Sequence, residues 1–328
     1  MRNLLSLVST AFLSLSFGQP VLADTSAQAL RVATDIPPVH SLVAQVMGDL
    51  GTVDLVMRPG ASPHSYAMRP SEAAALAGAD VVFWIGEPLT PWLGKSLSTL
   101  ATDARVVELL DVAGTTTLAF REGVTFEHDE HDDEEVGAHN DDDHDSDDHE
   151  EEEHHDHHEG VDPHAWLDPE NGKIWLDAIA AELGQLDPVN AAQYRQNAMT
   201  AKAELEGLIA GIHARLEPHS EARFVVFHDA YHYFENRFGV SALGAISLGD
   251  ASDPSPSRIV QIRQAVVDAN VSCVFAEPQF NTDLITAVTE GTQARTALID
   301  PLGVGIETGA AHYKKTLSQI TDSMVACF

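Results

Sequence analysis

From Leu30 onward, short unbroken apolar runs alternate with longer stretches whose apolar positions recur every three or four residues. The short runs predict strands, and the recurring pattern predicts amphipathic helices. Leu30–Thr34 reads as a strand, and Val39–Met47, after Pro37 and Pro38, as a helix stopped by Gly48. Val53–Met57 is the next strand and ends at the turn Arg58-Pro59-Gly60. Pro70–Ala77 predicts a short helix, and Ala79–Ile85 a strand buried on both faces, as in a parallel sheet. Pro91–Leu97 returns to helix and Arg105–Glu108 to strand.

The alternation stops between residues 127 and 159 and resumes at Val161. Asp168-Pro169 combines an N-cap residue with proline at the first helical position, opening a helix to about Leu186. Asp187-Pro188 repeats the signal before a proline-free stretch to Leu216, about 40 Å long as a helix. Beyond Pro218, strands at Arg223–Phe227, Ala242–Ile246, Val271–Ala276 and Ala297–Ile299 alternate with helices at Ala230–Arg237, Pro256–Val267, Asn281–Glu290 and His312–Ala326. The pattern predicts an α/β fold: two βα lobes with central, mostly parallel sheets, residues 24–187 and 218–328, joined by one long backbone helix over 188–217. In such sheets ligands bind beyond the carboxyl ends of the strands.

The first residues stand outside this pattern. Arg2, the apolar stretch Leu4 to Phe17 and the small residues Val21 and Ala23 predict a signal peptide, residues 1–23, cleaved after Ala23. The stretch is too short for a transmembrane helix, and no cysteine follows it for lipid attachment, so no membrane anchor is expected. The two cysteines, Cys273 and Cys327, favour a disulfide over a metal pair in an exported chain; two buried thiols are the alternative.

The 328 residues carry a formal charge of −33, and 19 of the 51 acidic residues fall within 127–159, with no lysine or arginine there. The acidic balance disfavours nucleic acid and anionic membrane surfaces and favours cationic partners. The same segment carries nine of the 17 histidines: His128, His131, His139, His144, His149, His154, His155, His157 and His158. It has no periodicity with which to build a core, and is expected to be a disordered acidic loop with auxiliary, low-affinity metal binding.

Eight histidines remain. His64 follows a predicted strand in Pro59-Gly60-Ala61-Ser62-Pro63-His64-Ser65-Tyr66, and His164 lies in Asp162-Pro163-His164-Ala165-Trp166-Leu167-Asp168-Pro169, a loop pinned by prolines. His228 ends the apolar run Phe224–Phe227, and Asp300 ends Ala297–Ile299. Three neutral imidazoles and a carboxylate suit Zn2+, and imidazole also suits Cu and Ni, so affinity alone does not decide the metal. His232, one helical turn beyond His228, is the candidate spare ligand, and Glu277 a candidate to orient a ligand histidine. An exported zinc hydrolase would use the same three histidines with a bound water, but no G-x-S-x-G nucleophile motif accompanies them.

Taken together, these motifs, with Arg69-Pro70-Ser71, Phe227-His228-Asp229-Ala230-Tyr231, Phe275-Ala276-Glu277-Pro278-Gln279 and Asp300-Pro301-Leu302-Gly303, resemble those of the zinc-uptake solute-binding proteins of ABC importers, the ZnuA type. The resemblance covers nearly all of the mature chain. It implies a monomeric, periplasmic, non-enzymatic protein that captures Zn2+ in the cleft between its lobes and delivers it to a membrane permease. It assigns His64, His164 and His228 as ligands, and Asp300 matches the acidic fourth ligand of related proteins; water is the alternative. It also matches Cys273 and Cys327 to a disulfide of zinc-type members. A manganese or general divalent-metal carrier is the alternative within the same family, and His228, where manganese-type relatives often carry Glu, favours zinc.

Overall fold

The structure, a computed structural model, describes residues 29–126, 160–247 and 254–328. The expected signal peptide and the nine histidines of 127–159 lie outside the described residues. Strands β1 (Leu30–Thr34), β2 (Gly51–Leu55), β3 (Val81–Trp84) and β4 (Arg105–Glu108) form one sheet in the order β2-β1-β3-β4. Strands β5 (Phe224–His228), β6 (Ala242–Ser247), β7 (Cys273–Ala276) and β8 (Arg295–Leu298) form a second in the matching order β6-β5-β7-β8. Every pairing between these strands is parallel. The central strands β3 and β5 are buried at every position, as the unbroken apolar runs require.

In each sheet the chain order reverses between the first and third strands, β1 and β3 or β5 and β7. That reversal opens a crevice at the carboxyl ends. The two crevices are filled differently. In the first, both carboxylate oxygens of Asp35 accept backbone N–H groups, from Ile36 at 2.8 Å and Ile85 at 2.7 Å. In the second, His228 ends β5 and meets Glu277, which follows β7.

Helices α1 (Pro37–Met47), α2 (Pro70–Ala77) and α3 (Pro91–Leu100) belong to the first sheet, and each opens with proline. α4 (Pro169–Leu186) starts as expected, with the Asp168 carboxylate accepting the Glu170 N–H at 2.9 Å. The long helix α5 (Ala191–Leu216) starts three residues later than the Asp187-Pro188 signal predicts. The Asp187 carboxylate accepts the Asn190 backbone N–H at 3.4 Å together with the Asn190 amide at 2.6 Å and the Tyr194 hydroxyl at 3.0 Å, and residues 188–190 form a turn before the helix. α6 (His232–Phe238), α7 (Pro256–Asp268), α8 (Thr282–Thr289) and α9 (His312–Cys327) complete the second half. Ser255 and Asn281 cap α7 and α8 through their side chains. Cys273 and Cys327 form a disulfide that ties the start of β7 to the end of α9. No helix among the described residues is long and apolar enough to cross a membrane.

The halves share one continuous core. Val32 and Phe83 of the first sheet, Trp175 of α4, Leu205 of α5, Phe224 and Phe275 of the second sheet and Leu317 of α9 belong to the same buried cluster. α9 packs against α1 and α5 as well as β8. Polar contacts stitch the same seam: the Tyr313 hydroxyl donates to the Trp166 carbonyl at 2.6 Å, the Trp166 indole to the Pro301 carbonyl at 2.8 Å, and Ser41 to the Ala310 carbonyl at 2.9 Å.

One segment crosses the seam in the other direction. Thr125 bridges to Gly244, and the Phe126 N–H donates to the Leu243 carbonyl at 2.7 Å, so residues 124–126 lie along the open edge of β6. Glycine is required at 244, because a Cβ there would overlap the Val124 carbonyl oxygen. Arg121, in the same segment, forks onto both Asp229 and Glu235 from a largely buried position.

Candidate metal centre

His64 sits in the loop between β2 and α2. The Trp92 indole donates to the Pro63 carbonyl at 2.7 Å, which fixes the residue before it. The Tyr66 hydroxyl donates to Glu72 at 2.8 Å, and the other Glu72 oxygen accepts the Arg69 N–H at 2.6 Å, opening α2. His64 is half-buried, whereas His164 and His228 are buried.

His164 is held by its own loop. One oxygen of Asp162 accepts the His164 backbone N–H at 2.9 Å and pairs with ring Nδ1 at 2.7 Å. His228 is held across the crevice of the second sheet, its Nδ1 paired with Glu277 Oε1 at 2.7 Å. A carboxylate on Nδ1 fixes the tautomer of a neutral ring and leaves Nε2 as the metal-binding nitrogen. The Nε2 of His164 is buried and has no hydrogen-bond partner among the described residues. Buried, otherwise unpaired nitrogens are costly, and a cation resolves that cost.

The three rings converge. Centroids lie 5.5 Å apart for His64 and His164, 5.3 Å for His164 and His228, and 6.4 Å for His64 and His228. One ring nitrogen from each lies within 4.8 Å of the others. Tetrahedral Zn2+ with Zn–N bonds of 2.0–2.1 Å needs nitrogens about 3.3–3.4 Å apart, so no pair has to draw in by more than about 1.5 Å. The triad opens onto a cavity of about 20 Å³, walled also by Pro63, Trp166, Phe280 and Leu302. That volume holds a water-sized body. Phe280 stacks on Phe227 at 4.4 Å and lies 5.2 Å from the His228 ring, making that wall apolar.

Asp300, expected as the acidic fourth ligand, does not join the group. Its Oδ1 accepts the Leu302 N–H at 2.9 Å and the Gln279 amide at 3.0 Å, and its Oδ2 accepts the Val304 N–H. The carboxylate folds the following turn, in which Gly303 adopts φ +72°. His232 also stays outside the triad; its Nδ1 lies 3.9 Å from the second Asp162 oxygen, and burial lowers its pKa. The other histidines have structural partners. His40 contacts the Val53 carbonyl and His312 the Leu302 carbonyl, while His213 packs on Phe238 and His219 on Phe328. Asp162 is the site residue that sequence reasoning left without a role. Its signal was local: an Asp two residues before His164 can accept that residue's backbone N–H in an Asx turn.

Charge around the site is negative and buried. Asp162 and Glu277 each keep one oxygen without a hydrogen-bond partner among the described residues. Burial, with the charges of Glu277 and Asp300, pushes the Tyr231 hydroxyl well above its ordinary range. Such a pocket attracts a cation and repels anions.

A family model described as ZnuA, zinc-uptake complex component A periplasmic, matches residues 32–327. The chain is 40% identical over 335 residues to the high-affinity zinc uptake system protein ZnuA of Brucella abortus (strain 2308), covering 100% of this chain and 99% of that protein. It is 41% identical over 322 residues to the protein of the same name in Paracoccus denitrificans (strain Pd 1222), covering 97% and 98%. Among solved structures, it is similar to a crystal structure of ZnuA, with a TM-score of 0.71, 25% identity, and coverage of 92% and 99%. A ZnuA deletion mutant with zinc bound matches with the same TM-score and identity, covering 92% and 98%.

Proposed function

The chain belongs to the ZnuA family, the periplasmic zinc-binding components of zinc uptake systems, and from that premise we propose that it captures Zn2+ with His64, His164 and His228 and hands it to a membrane permease. The family is one of solute-binding proteins, not of enzymes. The observation that carries the ligand assignment is the convergence of one nitrogen from each of these three histidines within 4.8 Å.

In this reading the ion enters past His64, the half-buried ligand, and meets His164 and His228 already oriented by Asp162 and Glu277. Zinc holds three neutral imidazoles well, and water completes the shell in place of Asp300. The cavity of about 20 Å³ at the triad is on the scale of a single ion or water. The protein acts as a monomer, exported with cleavage after Ala23, its lobes 24–187 and 218–328 joined by residues 188–217. The segment 127–159 adds weaker zinc binding apart from this site.

Zinc titration against a chelating competitor tests the assignment. A variant lacking residues 127–159 should retain one tight equivalent, and His64→Ala, His164→Ala or His228→Ala in that background should abolish it. Retention of the tight equivalent by any one of the three substituted proteins would refute the ligand set.

A further inference from the structure

Gln279 lines the same cavity, two residues beyond Glu277 in the loop after β7. Its amide has a fixed sense. Nε2 donates to Asp300 Oδ1, a carboxylate oxygen that accepts, so Oε1 is the end turned away from Asp300. That Oε1 is buried and has no hydrogen-bond partner among the described residues. An unpaired buried amide oxygen is unfavourable, and on the wall of a cation cavity it calls for a donor. Asp300 is already committed to the N–H groups of Leu302 and Val304 and to Gln279 itself.

Resting on the ligand set above, we propose that Gln279 is a positioning residue of the zinc site: its Oε1 accepts a hydrogen bond from the water in the fourth coordination position, and Asp300 acts on the ion through Gln279. A water on Zn2+ is a strengthened donor, because the ion draws electron density from its oxygen. A neutral amide oxygen is a poor direct ligand for zinc beside imidazole, so hydrogen bonding to the water is the role left to it. The arrangement holds the fourth position without adding a negative charge to the groups that touch the ion.

The test uses the full mature chain, with zinc and Co2+ as the probes and a chelator strong enough that only the tightest equivalent competes. Gln279→Met, close in shape but without the oxygen, should bind that equivalent about tenfold more weakly. Its one-equivalent Co2+ complex should show a shifted ligand-field band, while apo melting stays at the parental temperature. Asp300→Asn should also weaken binding, and the double variant should be no worse than Gln279→Met, because both act on one water. Parental affinity in Gln279→Met overturns the proposal. So do losses that add in the double variant, the mark of Asp300 as an independent ligand, and an affinity loss matched by a fall in apo stability. His64→Ala separates the two levels: if it retains the tight equivalent, the ligand set itself is wrong, and if it loses it while Gln279→Met does not, only the role of Gln279 fails.

Discussion

Asp162 grips His164 twice with one oxygen, accepting the backbone N–H at 2.9 Å and meeting ring Nδ1 at 2.7 Å. Local turn and ring orientation are therefore set by the same atom. Asp162→Asn keeps the shape but offers a weaker acceptor, and Asp162→Ala removes both contacts. Zinc affinity should fall about 10- to 100-fold in the alanine variant and less in the asparagine one. Competition titration of both variants checks the order; equal affinity in all three proteins would remove Asp162 from the site.

Arg121 carries the second prediction. Burial opposes its charge, but Glu235 and Asp229 hold it protonated, and its guanidinium also lies 3.9 Å over the Phe126 ring. Arg121→Met strands two buried carboxylates, and breaking such a network costs about 3–5 kcal/mol. Because Asp229 adjoins His228, zinc affinity should fall along with stability. Urea unfolding of the apo protein and zinc titration of the same preparation measure both effects.

The third prediction concerns pH. Burial raises the Asp35 carboxyl from 3.8 to about 7, against the lowering effect of the Ile85 and Ile36 N–H groups. A group raised in the folded state stabilises fully below its unfolded pKa, and that contribution is lost as pH rises through the folded value. The contribution of Asp35 should therefore be complete near pH 4 and gone above about pH 7, a change on the order of a few kcal/mol. Urea unfolding of the parent and Asp35→Asn from pH 4 to 8 should differ in slope across that window. Parallel curves would place the folded pKa near its ordinary value.

The disulfide yields the fourth. Cys273 and Cys327 lie 54 residues apart in sequence, and a loop of that size contributes about 4 kcal/mol in the chain-entropy account. Reduction, or Cys327→Ser, should lower the melting temperature and fray the end of α9, while the zinc stoichiometry of the triad is unchanged. Differential scanning calorimetry with and without reductant reads the first effect, and titration the second.

Much of this was legible in the sequence because apolar runs and proline-led helix starts are local signals. Val81–Trp84 and Phe224–His228 are buried strands where unbroken hydrophobicity placed them, and Asp168-Pro169 opens α4. Element bounds were less legible where one side chain serves several partners. Asp187 accepts the Asn190 backbone N–H as a cap would, but also the Asn190 amide and the Tyr194 hydroxyl, and α5 starts only at Ala191. Asp300 sits at a strand end, and its contacts to the N–H groups of Leu302 and Val304 have no signature in the spacing. Neither the Glu277–His228 pair nor the crossing of residues 124–126 onto β6 has a signature in spacing, since each joins segments distant in the chain.

The core cluster shared by both sheets limits how far the two halves can part. A molecule whose halves share Val32, Phe224 and Leu317 in one cluster, with α9 laid across α1 and α5, does not open like a jaw. If the protein works as proposed, loaded and empty forms should present almost the same silhouette. The change on binding should then be concentrated at the mouth of the cavity, around His64 and its loop: the local electrostatic potential, and how firmly that loop is held. A permease that discriminates between the two forms should read texture at that one small patch, and mistakes should come from whatever neutralises or stiffens it without a metal beneath it.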